Sequence, residues 1–446
     1  MKIPAHRRYL YLHLSLILSS LLLYAQDRPT VSNLTRVLGI ADTVIVAGNT
    51  STEAYVILNE MTLKAGSPVT QEAMDYDRDR IYSLGLFTRV EIYFDSLAHQ
   101  RFLYVDVRER WYLIPIPIFG FRDGDPKKIY FGGGILHNNL RGRNQKLLAY
   151  VTFGYDPSLA VSFNDPLFDH ENRLAFSASL SYNRIHNRSE VDAELRGEFD
   201  ENHYSAGVGL GKRFSLYQSA NVSVGYKYVR VSEYRPGRTV STDGTDSFVH
   251  ITLTYTHDSR DLFEYPTRGT YVQLFVRKQG LGFGPVNFAR YGIDVRKYFS
   301  LPLKLTLVLR LNGSVVSGGE VPTYSHAYLG YTERIRGYFY TVFQGEDIVS
   351  GTVEFRYPLF PARTYHVTFI PLPPEFAYWR FGIGFAFFGD TGTTWFRGEK
   401  LTWRSLYSGF GSGFDLLLPY GLVVRLAYTW NDNLRGQFIL DLRKPV

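Results

Sequence analysis

A period-two alternation of apolar and polar residues runs along most of the chain, from about Trp111 to Leu442. Successive side chains of a β-strand point to opposite faces, so this period predicts strands with one apolar face. Many segments reach about ten residues, which exceeds a typical soluble strand and matches the ~9–11 residues of a tilted membrane strand. The clearest segment has leucine at every second position: Leu303, Leu305, Leu307, Leu309 and Leu311.

The connections between these segments alternate between short and long. Leu301-Pro302 and Pro419–Gly421 predict tight turns, whereas Gly313–Gln344 and Asn183–Asn202 predict long loops. At roughly twenty residues per strand and connection, residues 111–446 are expected to form an all-β transmembrane barrel of about 16 antiparallel strands. Its lumen would be polar, its outer face apolar, and it would be closed so that no strand edge faces lipid. A soluble propeller or sandwich is the alternative.

Composition fits the membrane interpretation. The chain has 34 Tyr, 32 Phe and 40 Gly among 446 residues, and aromatic residues reach 16%, as expected for aromatic girdles at both membrane interfaces. There is no Cys, which excludes disulfides, thiolate metal sites and cysteine nucleophiles.

The N-terminus has the features of an export signal. Lys2, Arg7 and Arg8 precede an apolar run, Tyr9–Tyr24, which is followed by Ala25. This order predicts a signal peptide at residues 1–25, with an uncleaved anchor as the alternative. Its removal would take three of the 49 basic residues and lower the net charge from +7 to +4, too little to indicate a nucleic-acid partner. No later segment has the ~18–20 continuous apolar residues of a spanning helix.

Residues 42–110 predict a small α+β domain, preceded by an N-terminal linker at residues 26–41. Thr52 and Thr70 can each cap a helix. The predicted order is βααββ, with strands at Val44–Val46, Thr88–Phe94 and Arg101–Val107. This order resembles a polypeptide-transport-associated (POTRA) domain, and the residues that carry the resemblance are Gly48, Asn49, Gly66, Gly85 and Phe87.

A POTRA domain followed by a barrel resembles the BamA/TamA outer-membrane assembly superfamily, also described as the bacterial surface antigen type. Arg334-Ile335-Arg336-Gly337-Tyr338 is similar to its VRGF/Y loop motif, and Gly351–Pro358 to the strand after that loop. The segment from Phe388 to Gly392 is similar to the F-x-D-x-G strand. Asp258–Asp261 with Pro266–Gly269 is a weaker match.

The resemblance implies that Arg336 reaches into the lumen and pairs with two carboxylates, Glu354 and Asp390. A guanidinium can hold a carboxylate with two parallel hydrogen bonds, which suits the anchoring of a folded-back loop. The alternative is that these are ordinary lumen-facing polar residues.

The first strand, about Trp111–Phe121, and the last, about Gln437–Arg443, are expected to meet at a weak seam. Pro115 and Pro117 each remove a hydrogen-bond donor from the first strand. Candidate seam residues of the last strand are Gly436, Phe438, Leu440 and Leu442. Leu442 stands where outer-membrane barrels usually end in an aromatic residue.

The resemblance implies an outer-membrane protein assembly or insertion factor, acting by β-augmentation at the seam and at the POTRA domain. The barrel would lie in the bacterial outer membrane and the POTRA domain in the periplasm. The implied partners are unfolded outer-membrane or secreted polypeptides, outer-membrane lipid, and accessory lipoproteins or periplasmic chaperones. A two-partner-secretion translocator with one dedicated passenger is the alternative, although that class normally has two POTRA domains.

No enzymatic chemistry, cofactor or metal is expected. His257, Asp258 and Ser259 are adjacent in a predicted strand, so their side chains alternate between faces and cannot form a triad. Asp75, Asp77 and Asp79 alternate as in a calcium loop, but Arg80 and Leu86 replace the required Gly and Glu.

Overall fold

The protein is described here by a computed structural model, which covers residues 36–97, 99–122, 127–186, 189, 199–368 and 373–442. The expected signal peptide at 1–25 lies outside the described residues, as do residues 26–35 of the expected linker and residues 443–446.

Five strands and two helices are present in the described part of the N-terminal domain. In chain order they are β1 Val37–Ile40, β2 Thr43–Ala47, α1 Ala54–Leu58, β3 Pro68–Thr70, α2 Gln71–Ser83, β4 Phe87–Leu97 and β5 Gln100–Glu109. The predicted βααββ order is present as a sheet of order β2-β5-β4, in which β2 runs parallel to β5. In addition, β1 pairs with β3, so part of the segment expected to be a linker is a strand.

The two helices begin differently. Thr70 caps α2 as predicted, because its hydroxyl accepts a hydrogen bond from the Ala73 N–H at 3.2 Å. In α1 the capping position is Glu53, and no side chain caps the helix. The Thr52 hydroxyl instead lies 2.9 Å from both the Tyr112 hydroxyl and the Asn139 amide nitrogen. It therefore links the domain to the barrel.

Sixteen antiparallel strands form one large sheet, which confirms the predicted strand number and direction. The strands from β6 to β23 are β6 Leu113–Phe121, β7 Ile129–Leu140, β8 Gln145–Gly154, β9 Ser158–Asp169, β10 Leu174–His186, β11 Asp200–Arg213, β12 Gln218–Val231, β13 Thr245–Asp258, β14 Gly269–Gln279, β15 Phe288–Ser300, β16 Thr306–Gly318, β17 Ala327–Leu329, β18 Phe343–Gly345, β19 Asp347–His366, β20 Tyr378–Trp395, β21 Tyr407–Leu418, β22 Leu422–Asn431 and β23 Gly436–Asp441. The short β17 and β18 pair with each other inside the loop between β16 and β19.

Three predicted boundaries were wrong. The two ends of the loop expected at Asn183–Asn202 belong to β10 and β11, because residues 183–186 pair with residues 200–203. Leu303 lies in a turn rather than in a strand, with a φ of 62° and 88% of its surface exposed. Strand β16 continues through Gly313 to Gly318, because its backbone remains paired with β15. The long loop therefore comprises residues 319–346 rather than beginning at Gly313.

The sheet curls into a barrel whose near rim, defined here as the end facing the N-terminal domain, surrounds that domain. The far rim is the opposite end. Residues on or beside six near-rim turns contact the domain: Gly142, His170, Arg213, Ser259, Tyr378 and Tyr420. Because one small domain touches turns from β7 to β22, the strands must be arranged in a ring.

The two faces of the sheet have opposite character. On β19, Glu354 and Arg356 point into the lumen and are 0% and 1% exposed, whereas Val353 and Phe355 point outward and are 46% and 39% exposed. This is the polar-inside, apolar-outside arrangement of a membrane barrel.

Within the described ranges, no helix combines the length and apolarity needed to cross a membrane.

Candidate functional site

The tip of the long loop folds into the barrel lumen. Residues Arg336–Tyr338 form a single 3-10 turn. Gly337 packs directly against Gly409 of β21, and a Cβ atom on Gly337 would lie 2.6 Å from the Gly409 Cα and 2.7 Å from the Trp430 carbonyl oxygen. Only glycine leaves room for the loop backbone to approach the wall this closely.

Arg336 contacts both carboxylates to which the sequence pointed. Its Nε and Nη2 atoms donate to the two Asp390 oxygens at 2.6 Å each, and Nη1 donates to Glu354. The guanidinium also lies 3.6 Å from the centre of the Phe388 ring, a favourable cation–π arrangement. The loop tip is thus held at one arginine by hydrogen bonds to two carboxylates and by one cation–π contact.

Glu354 is the centre of a larger buried network. It accepts from Arg425 of β22 at 2.8 and 2.9 Å and from Arg356 at 2.6 Å. Arg425 in turn holds Asp415 of β21 through bonds of 2.6 and 2.8 Å. Three guanidinium groups therefore face three carboxylates, so the buried formal charge balances to zero.

The network continues to the near rim through Tyr265. Its hydroxyl donates to Asp415 at 3.0 Å, and its ring lies 4.7 Å from the Arg356 guanidinium carbon. Tyr265 belongs to the turn between β13 and β14, whose Ser259 carbonyl accepts from Tyr76 of α2 at 3.0 Å. A continuous series of contacts thus joins the loop tip to the N-terminal domain.

The other loop-motif residues support the tip. The Arg334 guanidinium lies 4.3 Å from the Phe339 ring centre. Ile335 is 1% exposed and packs against Leu329. Tyr338 donates its hydroxyl to Asp432 beside the last hairpin.

Gly392 of β20 is close-packed in the same way as Gly337. A Cβ atom there would lie 2.6 Å from the Val349 carbonyl oxygen of the neighbouring strand β19.

The POTRA-motif residues lie at turns and in the core of the N-terminal domain. Gly48 has a φ of 81°, and a Cβ atom there would lie 1.9 Å from the Val107 carbonyl oxygen. The Asn49 side chain donates to the Thr52 carbonyl at 2.9 Å. Gly66 and Gly85 also have positive φ, and Phe87 is fully buried.

Ion pairs fasten the N-terminal domain to the near rim. Glu60 lies between Arg80 of α2, at 2.8 Å, and Arg213 of β11, at 2.6 Å. The Arg80 and Glu60 side chains are only 2% and 12% exposed. A second pair, Arg268 with Glu72, is more exposed, at 34% and 46%.

The two ends of the sheet are β6 and β23, and no backbone pairing joins them anywhere in the described part of the chain. The hydrogen bonds of β6 show which of its groups face this opening. The Asn138 N–H donates to the Tyr112 carbonyl, the Arg122 N–H donates to the Lys128 carbonyl, and the register between them is continuous. Bonded and non-bonded pairs alternate in an antiparallel ladder, so the odd-numbered residues of β6 direct their backbone groups to the open edge.

Pro115 and Pro117 both fall on this open edge. The donors that they remove are therefore missing from the opening rather than from the ladder with β7. The middle of the β6 edge can accept hydrogen bonds but cannot donate them.

The opposite edge belongs to β23, a strand of only six residues. The Asn431 N–H donates to the Arg435 carbonyl in the last hairpin, and the register continues as Trp430 with Gly436. By the same alternation, Gly436, Phe438 and Leu440 direct their backbone groups to the opening. The structure ends β23 at Asp441, so Leu442 lies just beyond the strand.

Four network residues were missed from the sequence: Arg356, Arg425, Asp415 and Tyr265. Charge at the lumen-facing positions of otherwise apolar strands was the available signal, since Arg425 lies on the polar side of the Leu422–Trp430 alternation. Their convergence depends on strand registers that the alternation does not specify.

The barrel, its lumen loop and the small βααββ domain together define a class: POTRA-bearing outer-membrane β-barrels. A family model described as the Omp85 superfamily domain matches residues 139–438, and one described as surface antigen variable number repeat, a POTRA model, matches residues 40–110. The chain belongs to the Omp85 superfamily, which confirms the resemblance seen in the sequence. Proteins of this superfamily are outer-membrane barrels with periplasmic POTRA domains that assemble or transport other proteins.

Individual proteins that are similar to this chain include BamA and CdiB. The outer membrane protein assembly factor BamA of Nitratidesulfovibrio vulgaris is 23% identical over 307 residues, which cover 66% of this chain but only 37% of that protein. The structure of BamA from Haemophilus ducreyi lacking POTRA domains 1–3 has a TM-score of 0.54 at 14% identity, covering 91% of this chain and 83% of the other. CdiB from Escherichia coli has a TM-score of 0.55 at 11% identity, with 91% and 74% covered. At these identities the two structures establish the fold alone.

Proposed function

We propose that this chain is an outer-membrane protein assembly factor of BamA type, which inserts unfolded polypeptides into the membrane through the opening between β6 and β23. The barrel lies in the outer membrane, with its near rim and POTRA domain in the periplasm. The observation that carries the proposal is the unpaired state of the two end strands.

The chemistry of the two edges supports an opening that admits a strand. Closing β6 on β23 would form an incomplete ladder, because Pro115 and Pro117 offer no N–H to the partner. Their carbonyl oxygens remain available. An extended client strand can donate its own N–H groups to them, which is the backbone pairing of β-augmentation.

The N-terminal domain offers a second place for the same pairing. Strands β2 and β4 are the edges of its three-stranded sheet. Unpaired strand edges are templates for extended chains. We infer that the domain receives unfolded polypeptides before they reach the opening.

A crosslinking experiment tests the opening. Photo-crosslinking residues placed singly along Tyr112–Phe119 should trap nascent barrel proteins, whereas the same residue at outward-facing positions of β10, such as Leu180, should not. Equal labelling of β6 and β10 would mean that the opening is not an entry site.

Depletion of the protein tests the breadth of its activity. If it is a general insertase, many unrelated barrels should decrease together in the outer-membrane proteome, and periplasmic chaperones should be induced. Loss of one secreted or surface protein alone would instead identify a dedicated translocator of the two-partner-secretion type.

A further inference from the structure

The long loop reaches beyond the ion network to the open edge of β23. Tyr340, three residues after Gly337, is 69% exposed, and its hydroxyl donates a hydrogen bond to the Phe438 carbonyl at 3.2 Å. Phe438 is one of the three β23 residues whose backbone groups face the opening. A side chain of the loop therefore occupies the central acceptor of a strand edge that has no backbone partner among the residues that the structure describes.

The loop is fixed to the last strands of the barrel just before Tyr340. The Arg336 carbonyl accepts from the Thr429 hydroxyl at 2.9 Å and from the Gln437 amide at 2.8 Å. Phe339 is buried in a cluster with Phe388 of β20, Ala427 of β22 and Ile439 of β23. These anchors hold the Tyr340 hydroxyl at the edge without help from β6.

The contact suits temporary occupation. A tyrosine hydroxyl supplies one neutral hydrogen bond. The Tyr340 ring is mostly exposed, so the side chain loses little packing when it moves away. A backbone strand supplies an N–H for Phe438 and further bonds for Gly436 and Leu440, so it competes well against a single hydroxyl.

We propose that Tyr340 is a placeholder that occupies the Phe438 carbonyl until the N–H of an extended client strand replaces it. This role rests on the proposed function, because it requires that clients enter at the opening. Tyr340 is then a positioning residue. A client strand must displace its hydrogen bond in order to pair with β23, so strands that form several backbone hydrogen bonds are retained and weaker ones are not.

The experiment uses the full chain refolded in vesicles of phosphatidylethanolamine and phosphatidylglycerol. The probe is a synthetic peptide that copies residues 435–442 and carries a benzophenone at its N-terminus, and crosslinks are mapped by mass spectrometry. Tyr340→Phe removes only the hydroxyl. Tyr291→Phe is the control, because Tyr291 is an outward-facing tyrosine of β15 with 44% exposure, far from the opening in the strand order.

Tyr340→Phe should raise peptide labelling of β23 by about three- to tenfold, the effect of one net hydrogen bond. Tyr291→Phe should label as wild type does. The melting temperature of each variant is measured beside labelling, because general loosening of the barrel would lower it and would increase labelling of other strands as well.

Three outcomes would overturn the placeholder. They are equal labelling of β23 in wild type and Tyr340→Phe, increased labelling spread over all strands, and no labelling of β23 in any variant. The first of these leaves the opening as an entry site, and the depletion experiment decides the insertase function independently of all three.

Discussion

Glu354 accepts hydrogen bonds from three arginines in a part of the lumen from which solvent is excluded. Taking one such charge out of water is costly, and the cost is recovered only while every partner stays in place. The network therefore fixes the position of the loop more than it adds to the net free energy of unfolding. Its carboxylates hold Arg336, and with it the loop tip, in one arrangement.

Glu354→Gln should destabilise the barrel by about 3–5 kcal/mol, because it removes the carboxylate that three buried guanidinium groups share and leaves the network with an uncompensated positive charge. Urea unfolding in detergent micelles, followed by the mobility shift between folded and unfolded barrel, measures this loss. Glu333→Gln is the matched control, since Glu333 pairs with Arg310 of β16 from a more exposed position, with a side chain 24% exposed. Equal losses in the two variants would contradict the central position of Glu354.

Sequence identified part of this network and could not identify the rest. Arg336, Glu354 and Asp390 lie in motifs that resemble known ones. Asp415 and Arg425 lie in ordinary alternating strands, where any polar residue predicts only a lumen-facing side chain. Their meeting depends on the register between β21 and β22, and a period of two is compatible with many registers.

At the scale of elements, α2 contributes a buried attachment of the N-terminal domain to the barrel. Arg80 is buried between Glu60 and backbone carbonyls of the near-rim turns, including that of Asp258. Burial of the pair limits screening by solvent, so it contributes more to docking than an exposed pair would.

Glu60→Gln should loosen the docked domain, since it removes the carboxylate that pairs directly with the buried Arg80. Hydrogen exchange of α2 should accelerate, while exchange of β12 to β16 stays as in wild type. Glu72→Gln provides the comparison, because its pair with Arg268 is exposed and typically contributes less than ~1 kcal/mol. Acceleration of α2 by both variants to the same degree would argue against a special role for Glu60.

Glu109, at the end of β5, predicts a pH dependence of the stability of the N-terminal domain. Burial opposes its ionisation, but hydrogen bonds from Thr52, Thr50 and Ser51 outweigh burial and hold the pKa of the Glu109 carboxyl below its usual value. The folded state thus has the lower pKa. The stability that the carboxylate contributes is fully present above the unfolded pKa of about 4.3 and is lost as pH falls through the folded value.

Wild type should therefore melt at a higher temperature than Glu109→Gln at neutral pH, and the difference should shrink as pH falls below about 4. Thermal unfolding of both proteins from pH 7 to pH 3 measures it. A difference that does not change with pH would show that the charge of the Glu109 carboxylate is not what stabilises this part of the domain.

At two element boundaries the local sequence pattern does not decide the structure. Thr70 was correctly predicted to cap a helix, whereas Thr52 was not used as a cap because Tyr112 and Asn139 of the barrel compete for its hydroxyl. Leu303 continues the alternation of β16 in sequence but lies in a left-handed turn after Pro302. In both cases tertiary contacts or a turn overrode a local pattern.

At the scale of the whole molecule, the fold class was predictable because the alternation repeats over some sixteen strands, and errors at single strands do not change the count by much. The opening between β6 and β23 was anticipated from Pro115 and Pro117, but the direction of their missing donors required the register with β7.

Replacing both prolines with alanine should let the barrel close. Pro115→Ala/Pro117→Ala restores two N–H groups to the β6 edge, so β23 can pair along it, and the melting temperature should rise while insertion of client barrels falls. Pro285→Ala, in the far-rim turn between β14 and β15, is the control for loss of proline stiffness. Unchanged insertion together with a raised melting temperature would mean that clients do not use this edge.

The N-terminal domain covers the near rim, and the loop tip occupies the lumen beyond it. This arrangement limits the permeability of the outer membrane. A barrel of sixteen strands is wide enough to conduct ions and small drugs if its interior is empty. Here the two obstructions lie in series, so moving one of them leaves the other in the conduction path. We therefore expect no ionic current through the protein in a planar bilayer until both the domain and the loop have moved. Resistance of the cell to bulky antibiotics should likewise stay undiminished until then.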